Sequence, residues 1–299
     1  MTVFERLAEG EACEYTAPLV GTKFLFIGGT HGNEQTGIQV IRELAQRFES
    51  GHHRINKGCV RMVFGNPRAI AMNVRLSDNA RDLNKSFTDT VLEGREDENY
   101  ESIRAKTLAT YIESSDVVID IHSTQRPTAR PFISAKIDTA HEAIYQWFNP
   151  PIDTVLQDPN YIFAGEPASS DEYADRCGAV GICLESGYAE TSVVDTVIQG
   201  IENLLISHGT IEGRMSSQPS VPTQRFEWIE SIPYDPKEGW EWAPGLSIRS
   251  FEHIPAGTVF GYVQGEAISR DFDVYLLFPK TDELRALENR VTYLARRID

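Results

Sequence analysis

Residues 23–29, Lys-Phe-Leu-Phe-Ile-Gly-Gly, make a short apolar run closed by two glycines, and residues 35–48 then carry Ile38, Ile41, Leu44, Ala45 and Phe48 at helical spacing. The run suits a buried strand rather than a helix, and the stretch behind it suits an amphipathic helix. This alternation recurs. Cys59 to Phe64 reads as a strand, Tyr100 to Ser115 as a helix, Asp116 to Ile121 as a strand, 139–148 as a helix and Ala179 to Leu184 as a strand. Ser192 to Ser207 follows as a helix, with Val194, Val197, Ile198, Ile201, Leu204 and Leu205 on one side. Strands that are apolar throughout must be covered on both faces, which predicts an α/β fold with a mostly parallel or mixed sheet flanked by helices.

After about Gly209 the texture changes. Thr210 to Gln224 is rich in Ser, Pro and Gly, as a connection is. Beyond it, short apolar runs alternate with turn residues: Trp228-Ile229, Leu246-Ser247-Ile248, Val259 to Val263 and Val274 to Phe278. The expected organisation is therefore an α/β domain over residues 1–209, carrying the chemistry, and a smaller β-rich domain over residues 210–299. Leu284, Leu287, Val291, Leu294 and Ile298 recur at steps of three and four, which predicts a closing helix.

Charge removes some functions and suggests another. Among 299 residues there are 44 Asp+Glu against 28 Lys+Arg, a formal charge of −16. Nucleic acid requires a basic footprint, so it is excluded as a partner. No apolar run nears the ~18 residues of a membrane helix, and the first residues lack the regions of a signal peptide. A soluble, cytoplasmic protein without a membrane partner is expected, and a homo-oligomer is compatible with the sequence. Cys13, Cys59, Cys177 and Cys183 form no C-x-x-C pair, and reduced thiols suit that compartment. One basic island stands out: Arg54, Lys57, Arg61, Arg68, Arg75, Arg81 and Lys85 against Asp78 and Asp82, seven less two, a local +5. It is either a solvated face or a pocket for a small anion.

What lies at the strand ends favours the pocket. The first strand runs into Thr30-His31-Gly32-Asn33-Glu34, where an imidazole and a carboxylate separated by two residues can reach one cation, a donor set that suits Zn²⁺. His122 follows the strand Val117 to Ile121 directly, at the kind of C-terminal strand end where ligands collect in open α/β sheets. Asp120, two residues earlier on the same strand face, can orient that imidazole. Three protein ligands with a fourth position open is the arrangement of a catalytic zinc. A hydrolytic site also needs a base that is not a ligand, and Glu185, ending the strand 179–184 before Ser186-Gly187, is placed for it. The Arg68-to-Lys85 segment follows a strand too, so its arginines can reach the same rim and stabilise an oxyanion.

Five motifs in order, His31-Gly32-Asn33-Glu34 after Gly28-Gly29-Thr30, Asn66-Pro67-Arg68-Ala69, Asp82-Leu83-Asn84, Asp120-Ile121-His122 and Gly181 through Gly187, resemble the aspartoacylase and succinylglutamate desuccinylase family, relatives of the zinc carboxypeptidases. The resemblance covers about residues 23–208. It implies a carboxypeptidase-like α/β domain with a β-rich C-terminal domain, one zinc ion per chain held by His31, Glu34 and His122, and Glu185 as general base. Arg75 falls where the family has the arginine that contacts the reacting carbonyl, with Arg81 as a rival. Asn84 and Lys85 match a substrate-contacting pair, although the family usually carries arginine where this chain has Lys85, and lysine makes no bidentate fork. Arg176, nine residues before Glu185, lies near the arginine that aspartoacylases use for the side-chain carboxylate, whereas their C-terminal tyrosine has no clear counterpart after Phe278. The implied activity is hydrolysis of the amide of a small anionic N-acyl amino acid, closer to the N-acetylaspartate type than to desuccinylation of N-succinylglutamate. A metallocarboxypeptidase and a non-catalytic zinc-binding protein are the other readings.

Overall fold

Apolar strands that alternate with amphipathic helices stack side by side here, each strand hydrogen-bonding to its neighbours while the helices cover the two faces. This computed structural model describes all residues other than 1, 78–80, 97, 125–127, 129, 150, 163, 188–190, 283–284, 286–288 and 299. In chain order the elements are α1 (Val3–Ala8), β1 (Cys13–Thr16), β2 (Lys23–Gly28), α2 (Gln35–Glu49), β3 (Cys59–Phe64), α3 (Pro67–Met72), α4 (Asp89–Leu92), α5 (Tyr100–Glu113), β4 (Val117–His122), β5 (Phe132–Ser134), α6 (Thr139–Tyr145), β6 (Thr154–Gln157), α7 (Ser170–Arg176), β7 (Val180–Glu185) and α8 (Thr191–Ser207). There follow β8 (Gln224–Pro233), β9 (Glu241–Trp242), β10 (Glu252–Ile254), β11 (Gly261–Val263), β12 (Glu266–Ile268), β13 (Val274–Leu277) and β14 (Arg290–Arg297), with 3-10 turns at Leu83–Lys85 and Gln146–Phe148.

An 11-stranded sheet runs in the order β1-β3-β2-β4-β7-β5-β6-β8-β14-β13-β10. β3, β2, β4 and β7 are mutually parallel, so their C-terminal ends share one rim of the sheet. β5 enters antiparallel to β7, and β13, β14 and β10 continue antiparallel beyond β8. The sheet thus crosses the expected boundary at residue 209: β8 pairs parallel with β6, from Thr154↔Gln224 to Gln157↔Glu227. A separate three-stranded sheet, β12-β11-β9, packs beside it. The mixed sheet with flanking helices and a β-rich C-terminal part is the fold class expected from the patterning.

Burial explains the strands. On one face Phe24, Phe26, Ile119 and Ile182 meet Ile41 and Leu44 of α2 and Ile198 and Leu204 of α8. On the other, Leu25, Ile27 and Val118 meet Leu108 and Ile112 of α5 and Tyr173 and Ala174 of α7. Each fully buried side chain of this kind contributes roughly 1.5–3 kcal/mol before ordering costs. Among the described residues no helix is long and apolar enough to cross a membrane, and the four cysteines are free, with Cys177 alone exposed.

Two expectations need correction. The closing helix is a strand: Val291 and Leu294 lie in β14, paired with β8 and β13, while Leu284 and Leu287 fall outside the described residues. β14 is buried on both faces over Val291 to Ala295, which erases the two-residue alternation that marks a strand and leaves a spacing that imitates a helix. Leu246-Ser247-Ile248 is not a strand either; Ile248 adopts φ 52°, incompatible with an extended ladder.

Candidate metal centre and active-site cleft

The rim formed by β2, β4 and β7 gathers the chemistry. β2 ends at Gly28, and the chain turns through Gly29, at φ 72°, into the loop that carries His31 and Glu34. Gly32 lets that loop lie on α3, since a Cβ there would stand 2.0 Å from the carbonyl carbon of Ala69. β4 places His122 at its last position, and the parallel register sets it opposite Glu185, the last residue of β7. His31, Glu34 and His122 are buried, at 3%, 6% and 2% exposure.

Their ligand atoms all lie within 4.8 Å of one another. His31 Nδ1 is 2.7 Å from Glu34 Oε1 without hydrogen-bond geometry, which leaves this buried nitrogen unsatisfied. His122 Nδ1 is 3.0 Å from Glu34 Oε2, which also accepts from Ser123 N. Each ring's far nitrogen faces another carboxylate: His31 Nε2 is 2.9 Å from Asp82 Oδ1, and His122 Nε2 is 3.2 Å from Asp120 Oδ2. Asp120 is fully buried and is held by Thr30 Oγ1 at 2.9 Å and Ser170 Oγ at 2.6 Å. Two imidazoles whose Nδ1 atoms converge on a carboxylate, each oriented by a second carboxylate behind it, make a donor set that fits a zinc ion.

Electrostatics point the same way. Burial opposes a charge on either ring, but around His122 the Asp120 and Glu34 carboxylates outweigh it and raise the pKa well above that of a free imidazole. His31 is raised more modestly, with burial and Arg75 opposing and Glu34 and Asp82 prevailing. Burial would raise Glu34 and Asp82, yet the neighbouring cations hold both below the usual carboxylate range. The centre is therefore built for positive charge. Glu185 differs: burial pushes it up to about 7, against the pull of His122 and with a further push from Glu34, and its Oε2 is buried without a hydrogen-bond partner.

A cleft opens over this centre, lined by His31, Glu34, Arg75, Asn84, His122 and Glu185 together with Ser123, Thr124, Ser250, Phe278, Pro279, Lys280 and Tyr293. Arg75 reaches Glu34 Oε1 and Asp82 Oδ2, both at 3.2 Å. Of the expected substrate contacts, Asn84 lines it, whereas Arg81, Arg176 and Lys85 do not. Arg81 pairs with Glu96. Arg176 pairs with Asp89 at 3.1 Å, donates to the Phe87 carbonyl and stacks on Tyr173. Lys85 sits on the 3-10 turn beside Asn84 but off the cleft wall. The basic island is dispersed in space: Arg61 pairs with Glu14 and Arg68 covers Tyr100, so only Arg75 of the seven lines the cleft.

Sequence reasoning left out Asp82 as the partner of His31, although it stands in one of the quoted motifs. It also left out Lys280, 9% exposed in the cleft wall, and Tyr293. Lys280 follows β13 and Tyr293 lies within β14, strands that only the long-range pairing of β8, β14 and β13 brings together.

Comparison with known proteins agrees with this geometry. A sequence profile of the succinylglutamate desuccinylase/aspartoacylase catalytic domain matches residues 20–205. An N-acyl-aromatic-L-amino acid amidohydrolase (carboxylate-forming) of Xenopus tropicalis is 28% identical over 178 residues, 56% of this chain and 54% of that protein. A probable aspartoacylase of Nostoc sp. is 35% identical over 105 residues, 33% of this chain and 34% of that one. The chain thus spans about half or less of the length of these relatives. The crystal structure of succinylglutamate desuccinylase from Vibrio cholerae superposes with a TM-score of 0.79 at 14% identity, covering 97% of this chain and 86% of that one, and supports the fold alone. With the profile covering well over half of its length and the fold matching, the chain belongs to the succinylglutamate desuccinylase/aspartoacylase family.

Proposed function

We propose that the chain hydrolyses the acyl amide bond of N-acyl amino acids with one zinc ion held by His31, Glu34 and His122. The observation that carries this reading is the convergence of those three side chains beside Glu185, whose Oε2 is buried without a hydrogen-bond partner, opposite His122 in the β4–β7 register. Zinc, when bound, supplies Lewis acidity to the attacking water and to the amide carbonyl. Asp82 and Asp120 hold the imidazoles in the tautomer that leaves Nδ1 for the ion. Glu185 accepts the proton of the attacking water at Oε2 and passes it to the leaving amine, a task helped by a pKa near 7. Arg75 faces the oxygen on which negative charge develops.

Lys280 and Arg75 give the cleft a cationic wall, which supports recognition of the α-carboxylate. Asn84 lines the same space. The spelling of the motifs favours N-acetylated amino acids over N-succinylated ones. A second substrate carboxylate, as in N-acetylaspartate, finds less support, because Arg176 is engaged by Asp89 away from the cleft. Free thiols are consistent with a cytoplasmic setting.

The test is metal analysis combined with a substrate panel. About one zinc per chain and release of free amino acid from N-acetyl amino acids are expected, with both lost in His31→Ala and His122→Ala. Full metal and full activity in those variants overturns the ligand assignment, and a zinc-loaded protein inert on every acyl amino acid overturns the activity.

A further inference from the structure

α5 turns two buried charged side chains toward the end of β3, and neither lines the cleft. Arg104 donates to the carbonyl oxygens of Gly65 and Phe64, both at 2.7 Å, and of Gly10 at 2.8 Å. Three carbonyls around one planar guanidinium make it a tie between chain segments. Glu101, one turn earlier, is 0% exposed and is used differently. Its Oε1 accepts from Ser77 Oγ at 2.6 Å, Ser77 N at 2.9 Å and Asn66 Nδ2 at 3.2 Å, while its Oε2 is buried without a hydrogen-bond partner. A buried carboxylate that satisfies one oxygen and not the other is a poor stabiliser. Its use here calls for another explanation.

The two residues that Glu101 grips bracket the stretch that delivers Arg75. Asn66 caps α3, with Oδ1 accepting from Ala69 N at 2.9 Å, and Asn73 ends that helix at φ 52°. The chain then passes through Val74 and Arg75 and is pinned at Ser77, two residues on, to the oxygen that also holds its start. Arg75 meets Glu34 and Asp82 at 3.2 Å each, long for charge-assisted hydrogen bonds, so the placement of its backbone carries weight. The loop with His31 and Glu34 is anchored independently of Glu101, because Gly65 N and Asn66 N donate to the carbonyls of Gly28 and Gly29, both at 2.9 Å.

We propose that Glu101 is a positioning residue for Arg75: by holding Asn66 and Ser77 on one oxygen, it sets the guanidinium where negative charge develops on the reacting carbonyl. This rests on the amidohydrolase reading, in which Arg75 faces that oxygen. Glu101 acts through Arg75 and touches neither substrate nor metal. A displacement of about 1 Å at such a group costs up to about 100-fold in rate, so a clamp remote from the cleft governs turnover.

The experiment compares wild type, Glu101→Ala and Ser77→Ala, each alone and in an Arg75→Ala background, on the best substrate of an N-acetyl amino acid panel. Zinc content is measured alongside, as is the rate at which phenylglyoxal modifies Arg75, read by peptide mass mapping. Glu101→Ala is expected to lower kcat about 10–100-fold with KM within about twofold, zinc content unchanged and Arg75 modified several-fold faster; Ser77→Ala shifts each in the same direction by less. In the Arg75→Ala background either change is expected to cost less than about twofold. An equal loss in that background, a loss of zinc in step with kcat, or wild-type turnover in both variants overturns the clamp. So does an unchanged rate of Arg75 modification, whether or not the protein hydrolyses anything. A wild type inert on the whole panel, with Arg75 modified faster in the variants, overturns the amidohydrolase reading and keeps the clamp. Should Glu101→Ala fail to fold, Ser77→Ala decides by the same cycle.

Discussion

Asp82 joins two functions through one carboxylate: Oδ1 meets His31 Nε2 and Oδ2 meets Arg75 Nη2. Asp82→Asn keeps the shape but loses the charge that fixes the tautomer of His31, so zinc affinity is expected to fall about 10–100-fold, read by chelator competition. Unchanged affinity would mean that His31 is oriented by packing alone. Glu185→Gln is expected to retain zinc while kcat falls by about 10²–10⁴, and a variant with normal turnover would sink the proton-transfer role. His122 and Glu185 close apolar runs, and His31 and Glu34 lie in the loop that follows one, which is why the sequence offers these four as candidates. Asp82 and Lys280 are not among them, because their relevance depends on contacts across 51 residues in one case and on a strand far along the chain in the other. Arg176 and Arg81 pair with Asp89 and Glu96, because distance along the chain says nothing about which carboxylate captures a guanidinium first.

At the scale of elements, the loop after β2 depends on its close approach to α3. Gly32→Ala places a methyl group 2.0 Å from backbone carbon, and overpacking of this kind costs about 1–3 kcal/mol. Urea unfolding should show that loss together with weaker metal retention, since His31 and Glu34 flank the glycine. His141 ties three elements together: on α6, it meets Asp138 Oδ1 at 2.8 Å and, on α7, Asp175 Oδ1 at 2.9 Å, and Asp175 also accepts from Gly181 N on β7. Burial disfavours the imidazolium, but hydrogen bonds to Asp175 and Asp138 prevail and raise its pKa. Its contribution to stability is then complete below the unfolded-state value of about 6.5 and is lost as pH rises through the raised folded value. The stability advantage of wild type over His141→Gln should shrink as pH rises from about 6 to about 9; an advantage that grows with pH would refute the charged pairing. The strands and helices before residue 209 were readable because one period dominated each. β14 was not, because burial on both faces removes the period itself.

For the molecule as a whole, the continuity of the sheet through β6 and β8 matters more than the change in composition near Gly209. Removing residues 210–299 strips the β6 edge and uncovers Phe132 and Leu156, which pack against Phe226, Trp228 and Leu277. The shortened chain is expected to aggregate or bind hydrophobic dye, and a monomeric, cooperatively folded fragment would show that the boundary is a true domain border. Three carboxylates (Glu34, Asp82 and Asp120) surround the two imidazoles and the Arg75 guanidinium. A metal ion needs a neutral nitrogen from each ring, so protons and metal compete for His31 and His122. Affinity for metal is therefore expected to weaken as acidity returns protons to the two rings, a trend that metal retention across a pH series would read.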